Sequence, residues 1–339
     1  MDQGGKYPSW FSASDRKLLA KVDNGNIQPN ATVAKDGSGQ FSTIAAALAA
    51  YPKGNQGRYV IYVKAGVYDG YITVDKHQVN VFMYGDGSRK TLVTGHKNNR
   101  AGYSTWQSAT FSAIGTGFLC KKTGFQNTAG YEGGQAVGLC VQSDMSAFFS
   151  CRMDGYQDTL YVQVHRQFYR NCVISGTVDF IFGDSSTVIQ NSLIIACKPG
   201  PGQANTITAH GRDVRFETSG LVIHNCRIVP EKKLFPERFA IKTYLGRPWR
   251  PYAQTVFMES TLGDFIQPAG YQSWGHDDTC NYFEYGNCGL GARTDGRVKW
   301  KNVRVISRKE ALAFTAGPFL SGDLWLNATG FPFLLGLRH

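Results

Sequence analysis

From Ala31 to about Ile306 the chain reads as short apolar, β-branched and aromatic runs punctuated by glycine and polar turn residues, so strands dominate. Thr32-Val33 predicts a first strand, Asp36-Gly37-Ser38-Gly39 a turn, and Ser42-Thr43 through Ala50 a small-residue helix stopped by Pro52. Five later runs fall into register when written beneath one another: Phe149-Ser150-Cys151-Arg152-Met153, Arg170-Asn171-Cys172-Val173-Ile174, Gln190-Asn191-Ser192-Leu193-Ile194, His224-Asn225-Cys226-Arg227-Ile228 and Met258-Glu259-Ser260-Thr261-Leu262. Each carries a small Cys or Ser with an apolar side chain two residues on, at intervals of 21, 20, 34 and 34 residues. A spacing near twenty with later insertions is the signature of stacked solenoid coils. A β-sandwich would explain the strands but not this register. The expected fold is therefore all-β, a right-handed parallel β-helix over 31–306.

The flanks break the pattern. Residues 1–30 hold Pro8, Trp10, Phe11 and the helix-start run Ser12-Ala13-Ser14-Asp15, which predict a short helix capping one end of the main body. Residues 307–339 open on Ser307-Arg308-Lys309-Glu310, predicting an amphipathic segment through Ala316, then Pro318, Trp325 and helices and loops laid across the coils. One domain of 339 residues accommodates all three parts.

Composition bears on partners more than on fold. Formal net charge is +11, which favours a polyanion: nucleic acid, an anionic membrane or an acidic polysaccharide. No dense Lys/Arg run, RNA-binding signature or basic helix is present, so the first two fall behind and neither is expected as a partner. No hydrophobic run is long enough to span a bilayer, and the amino terminus lacks a basic-then-apolar leader; secretion would require a leader removed before this chain begins. Asn30-Ala31-Thr32 and Asn327-Ala328-Thr329 fit the glycosylation acceptor pattern, weak support for secretion. Eight cysteines are scattered with no metal-ligand CxxC spacing. Cys280 and Cys288, close together in a loop-like stretch, could bridge; Cys120, Cys140, Cys151, Cys172, Cys197 and Cys226 sit in apolar surroundings where free thiols are equally expected.

Candidate chemistry centres on Asp158 and Asp179. Each lies in an aromatic and β-branched segment, which places both on strands or strand ends, partly withdrawn from water. Two carboxylates in one site repel, so one keeps its proton while the other ionises. An ordinary turn or capping role is the alternative for each. Gln135 and Gln157 supply amide donors suited to an oxyanion, or equally hydrogen bonds at coil corners. Arg247 offers a fork that would hold a nucleophilic carboxylate ionised, and Trp249 a sugar-stacking face; a surface ion pair and a core Trp are the bland equivalents.

Taken together, Gln135-Ala136-Val137, Gln157-Asp158-Thr159-Leu160, Asp179-Phe180-Ile181-Phe182-Gly183 and Leu245-Gly246-Arg247-Pro248-Trp249 resemble the four principal motifs of the plant pectin methylesterases, in that family's order and approximate spacing. The resemblance runs from Ala31-Thr32-Val33 to Phe331-Pro332-Phe333 and itself implies a right-handed parallel β-helix. It implies a secreted enzyme of the plant cell wall that removes methyl esters from galacturonate units of pectin. Asp179 would be the nucleophile, Asp158 the general acid and then base, Gln135 and Gln157 the oxyanion donors, and Arg247 the residue that fixes Asp179. Trp249, Tyr161 and Trp106 would line the sugar groove. No metal and no cofactor are implied, and the expectation is a monomer. Tyr7-Pro8-Ser9-Trp10-Phe11-Ser12-Ala13-Ser14-Asp15 resembles the mature start of members made with an inhibitor-like extension, which makes a proteinaceous inhibitor a candidate partner.

Two departures stand out. Gly70 in Gly66-Val67-Tyr68-Asp69-Gly70 replaces the family's acidic residue, and Ser192 stands where relatives often carry a Cys able to pair with the equivalent of Cys172, so that bridge is not expected. Two other readings on the same scaffold are a polygalacturonase or pectate lyase, invited by Ala209-His210-Gly211-Arg212, and an inactive pectin-binding β-helix. Against the first of these, His210 itself reads as a structural or groove histidine.

Overall fold

The computed structural model describes residues 28–55 and 57–338; the helix expected near Ser12 lies outside them. Among the described residues, three sheets of eleven, seven and eight strands are parallel throughout and wind as a right-handed β-helix. Each full coil contributes one strand to each sheet, as in Ser146–Phe149, Arg152–Asp154 and Leu160–Val162. The aligned runs pair directly: Arg152 with Val173, Val173 with Leu193, Leu193 with Arg227, and Arg227 with Thr261.

The small residue of each run marks the corner between the eleven- and eight-stranded sheets. The residue before it takes a left-handed backbone: Ser150, Asn171, Asn191, Asn225 and Glu259 have φ between 49° and 54°. That conformation turns the chain sharply, and asparagine tolerates it best among residues with a side chain. The Cys or Ser that follows points inward and satisfies a backbone carbonyl: Ser192 Oγ donates to Gln190 O (3.0 Å) and Ser260 Oγ to Met258 O (3.0 Å). Between these corners the interior fills with stacked aromatic and aliphatic side chains, Phe148 on Tyr169 at 4.8 Å and Tyr271 on Tyr282 at 4.4 Å.

All eight cysteines are free, and the Cys280–Cys288 bridge that the sequence allowed is not formed: Cys280 is buried with Sγ on Asp277 O, whereas exposed Cys288 sits beside Thr261 on another coil. The helix α1 (Ile44–Ala49) begins at the capping hydroxyl of Thr43, close to where expected.

The carboxyl-terminal segment covers the outer face of the eleven-stranded sheet. The Ser307–Glu310 capping box starts α2 (Arg308–Leu312), but α2 stops before Ala316, and α3 (Ala316–Leu320) follows. The break comes at extended, β-branched Thr315, and Pro318 fits the first turn of the new helix. Ala311, Ala316, Leu320, Trp325 and Phe331 pack on Phe82, Phe149, Phe168, Val188 and Val222. Beyond them the backbone is pinned: Gln190 Nε2 donates to Leu334 O (3.0 Å), Leu334 N to Gln190 Oε1 (2.9 Å), and Arg338 N to Glu259 Oε2 (2.8 Å).

Candidate active site

The opposite side of the molecule, over the seven-stranded sheet, carries the candidate chemistry. Asp158 and Asp179 each stand two residues before a strand, Leu160–Val162 and Ile181–Gly183, and Leu160 pairs with Ile181, so the aspartates occupy equivalent places on adjacent coils. Of the two placements expected, strand or strand end, the structure has the second: each aspartate sits in the turn that leads into a strand. Both occupy left-handed turn positions, φ 64° and 49°, where a short polar side chain is better tolerated than the β-branched neighbours. They are 7% and 5% exposed, more enclosed than the sequence suggested.

Two partners fix Asp179. Arg247, just past the strand Thr243–Gly246, forks onto it, Nε to Oδ1 at 2.8 Å and Nη2 to Oδ2 at 2.6 Å. Thr206 donates its hydroxyl to Asp179 Oδ1 (2.7 Å) and accepts from Asp179 N (2.8 Å). Burial pushes the Asp158 carboxyl well above its ordinary range, the Asp179 charge adds to this, and Arg247 opposes it. The arrangement therefore sets a carboxylate held by a guanidinium beside a carboxyl that favours its proton.

The pair opens onto a cavity of about 510 Å³. Gln135 and Gln157 line it side by side, joined through Ala136 N to Gln157 O at 3.2 Å. Its apolar wall is Tyr161 stacked on Phe182 at 4.3 Å, with Trp249 edge-on to Phe182 at 6.0 Å. Trp106, 44% exposed, stands on the rim with Ser104 and Thr105. All eight residues expected in the site are thus brought to one cavity.

Three lining or supporting residues went unassigned by the sequence. Phe182 lies within a quoted motif and alternates outward from buried Ile181, a signal that was available. Trp274, whose ring lies 4.0 Å from the Arg247 guanidinium, sits in a loop outside any motif. Thr206 is 27 residues beyond Asp179, because the coil between Ile181 and its partner Thr208 is lengthened past the twenty-residue rhythm. His210 is fully buried, accepts from Gln254 N through Nδ1 (3.0 Å) and is pushed down to about 3 by burial, so it is a neutral support outside the cavity lining. Gly70 takes φ 148°, a backbone in which the family's acidic side chain would be strained. Asn30 and Asn327 are both exposed.

Comparison with known proteins agrees with this geometry. The family model described as Pectinesterase matches residues 30–323. The chain is 52% identical over 334 residues, 97% of its length, to "Probable pectinesterase/pectinesterase inhibitor 13" of Arabidopsis thaliana, covering 54% of that protein. It is 49% identical to "Pectinesterase 1" of Citrus sinensis over 98% of its length and 57% of the relative's. It thus spans about half the length of these curated relatives. Among solved structures, "Pectin methylesterase from Carrot" superposes with a TM-score of 0.91 at 48% identity, covering 92% of this chain and 99% of that one.

Proposed function

The chain belongs to the pectinesterase family, and from that premise we propose that it hydrolyses the methyl ester at C6 of galacturonate units in pectin, releasing methanol and leaving a free carboxylate. The observation that carries this reading is the asymmetry of the carboxyl pair: Asp179 gripped by Arg247, Asp158 buried and proton-favouring beside it.

Asp179 attacks the ester carbonyl, and the tetrahedral oxyanion is met by the amides of Gln135 and Gln157. Asp158 gives its proton to the departing methoxide, leaving an acyl-enzyme on Asp179. The ionised Asp158 then takes a proton from water, whose oxygen attacks the acyl carbon; the released acid restores both aspartates. Tyr161, Trp249 and Trp106 hold the sugar against the cavity wall. The described coils and their carboxyl-terminal cover work as one catalytic unit, a secreted monomer of the plant cell wall with Asn30 and Asn327 as glycan acceptors. Relatives named for both pectinesterase and its inhibitor support a proteinaceous inhibitor as partner.

A methanol assay on highly methylated pectin, with polymer length followed in parallel, tests this. The protein should release methanol without shortening the polymer, and Asp179→Ala should lose activity by at least about a thousandfold while still binding pectin. Chain cleavage, or a fully active Asp179→Ala protein, would overturn the reading.

A further inference from the structure

We propose that a second, cation-lined cavity beside the catalytic groove binds the same polymer at galacturonate units whose carboxylates are already free. This inference rests on the pectin esterase reading for the identity of the polymer. The cavity, about 560 Å³, is built where the chain passes from the seven-stranded to the eleven-stranded sheet on successive coils, and its charged lining is Arg212, Arg215 and Lys301 against a single acid, Asp278.

It adjoins the first cavity by construction. Ala209 and Trp249 line the catalytic groove, while Arg212 and Tyr252, each three residues further along the same segments, line the second cavity. Exposed Arg250 stands between them, its guanidinium 5.6 Å from the Trp249 ring. Arg250 thus adds a positive charge on the short segment of chain that links the two cavities.

The cavity has one rigid cation and two available ones. Arg212 is 5% exposed and anchored by Nε to Tyr252 O (2.7 Å) and Nη1 to Glu217 O (3.0 Å) and Ser219 O (3.2 Å). Its charge is therefore set in place before any ligand arrives; Asp184 and Glu217 offset part of it, which leaves Arg215 and Lys301 as the cavity's main cations for a ligand. Arg215 and Lys301 are exposed and form no ion pair with a carboxylate among the described residues. Two unpaired cations facing an immobile third form a poor resting arrangement, because like charges repel, and a good receptor for anionic oxygens. Phe216, 87% exposed beside the Arg215 guanidinium, gives the rim an apolar face against which a sugar ring can lie.

The chemistry sets the selectivity. A methyl ester carries no charge, so the esterified polymer gains little here, whereas each free carboxylate can pair with Arg215 or Lys301. Every turnover in the groove then creates a ligand for the neighbouring cavity and holds the protein on the stretch it has just processed.

The test uses the double variant Arg215→Ala/Lys301→Ala, both positions exposed and outside the catalytic groove. In an Asp179→Ala background, affinity is measured for long galacturonate oligomers of equal length, one fully de-esterified and one fully methyl-esterified. The expected result is about a tenfold rise in Kd for the free-acid oligomer with reduced salt sensitivity, and no change for the esterified one. With Asp179 intact, kcat on short methylated oligomers should stay within about twofold. Unchanged Kd for the free-acid oligomer, or an equal loss for both oligomers, overturns the proposal. Binding needs no turnover, so a failure of the esterase reading would register separately, as absence of methanol from the unsubstituted protein.

Discussion

Asp158 and Asp179 share a backbone conformation and nearly the same exposure, yet their surroundings divide them, because Arg247 and Thr206 spend their donors on Asp179 while Asp158 faces burial and a neighbouring negative charge. That division has a sign in stability. A carboxyl raised in the native state favours folding fully below the ordinary carboxylate range, and the contribution is lost as pH rises through the native value. Asp158→Asn removes this loss, so its melting temperature relative to the unsubstituted protein should climb steadily between about pH 4 and pH 8. A difference that stays flat across that range would mean that Asp158 is not raised. At this scale the motifs made most of the cavity legible residue by residue, while Trp106 on its rim came only from the family resemblance. Thr206 was hidden, because nothing in its local sequence marks a hydroxyl that acts across a lengthened coil.

At the scale of the coil, the repeat was legible because every corner needs the same two things, a left-handed residue and a small inward donor. The sequence left the aspartates open between strand and strand end for a related reason: their aromatic and β-branched neighbours signal strands, but the corner conformation falls on the one residue between them that tolerates it. The corner ladder also makes Ser192 informative. Cys172 N donates to Ser192 Oγ at 3.1 Å, and adjacent strands lie about 4.8 Å apart, within the Cα separation a disulfide requires. Ser192→Cys should therefore form a bond to Cys172 under oxidising conditions, visible by mass spectrometry of a non-reduced digest, and stabilise the fold by about 3 kcal/mol for a loop of this length. Two free thiols after oxidation would show that the inward side chains cannot turn towards each other.

Across the whole molecule, the catalytic face and the covered face lie on different sheets and should respond independently. Deleting residues from 331 onward removes buried Phe331 and the clasp on Gln190 and Glu259, and uncovers Phe82 and Phe149. The expected cost is several kcal/mol, at about 1.5–3 for each large apolar side chain stripped of cover, against a typical margin of about 5–15. Thermal melting should fall by at least about 10 °C while kcat measured well below the transition changes little; an unchanged melt would show the cover to be dispensable. The sequence announced this cover only as an amphipathic tail, since its partners are spread over coils from Phe82 to Met258. The register of the two aspartates has a consequence for how such a chain can change length. Whole coils added or lost at either end would leave the chemistry untouched, but one extra coil between Asp158 and Asp179 would part them by a further strand spacing of about 4.8 Å and disable it. The 21-residue turn of chain between them is a ruler, and because Gln135, Thr206 and Arg247 also meet the pair from neighbouring coils, whole-coil insertions are tolerated only before Gln135 or after Arg247.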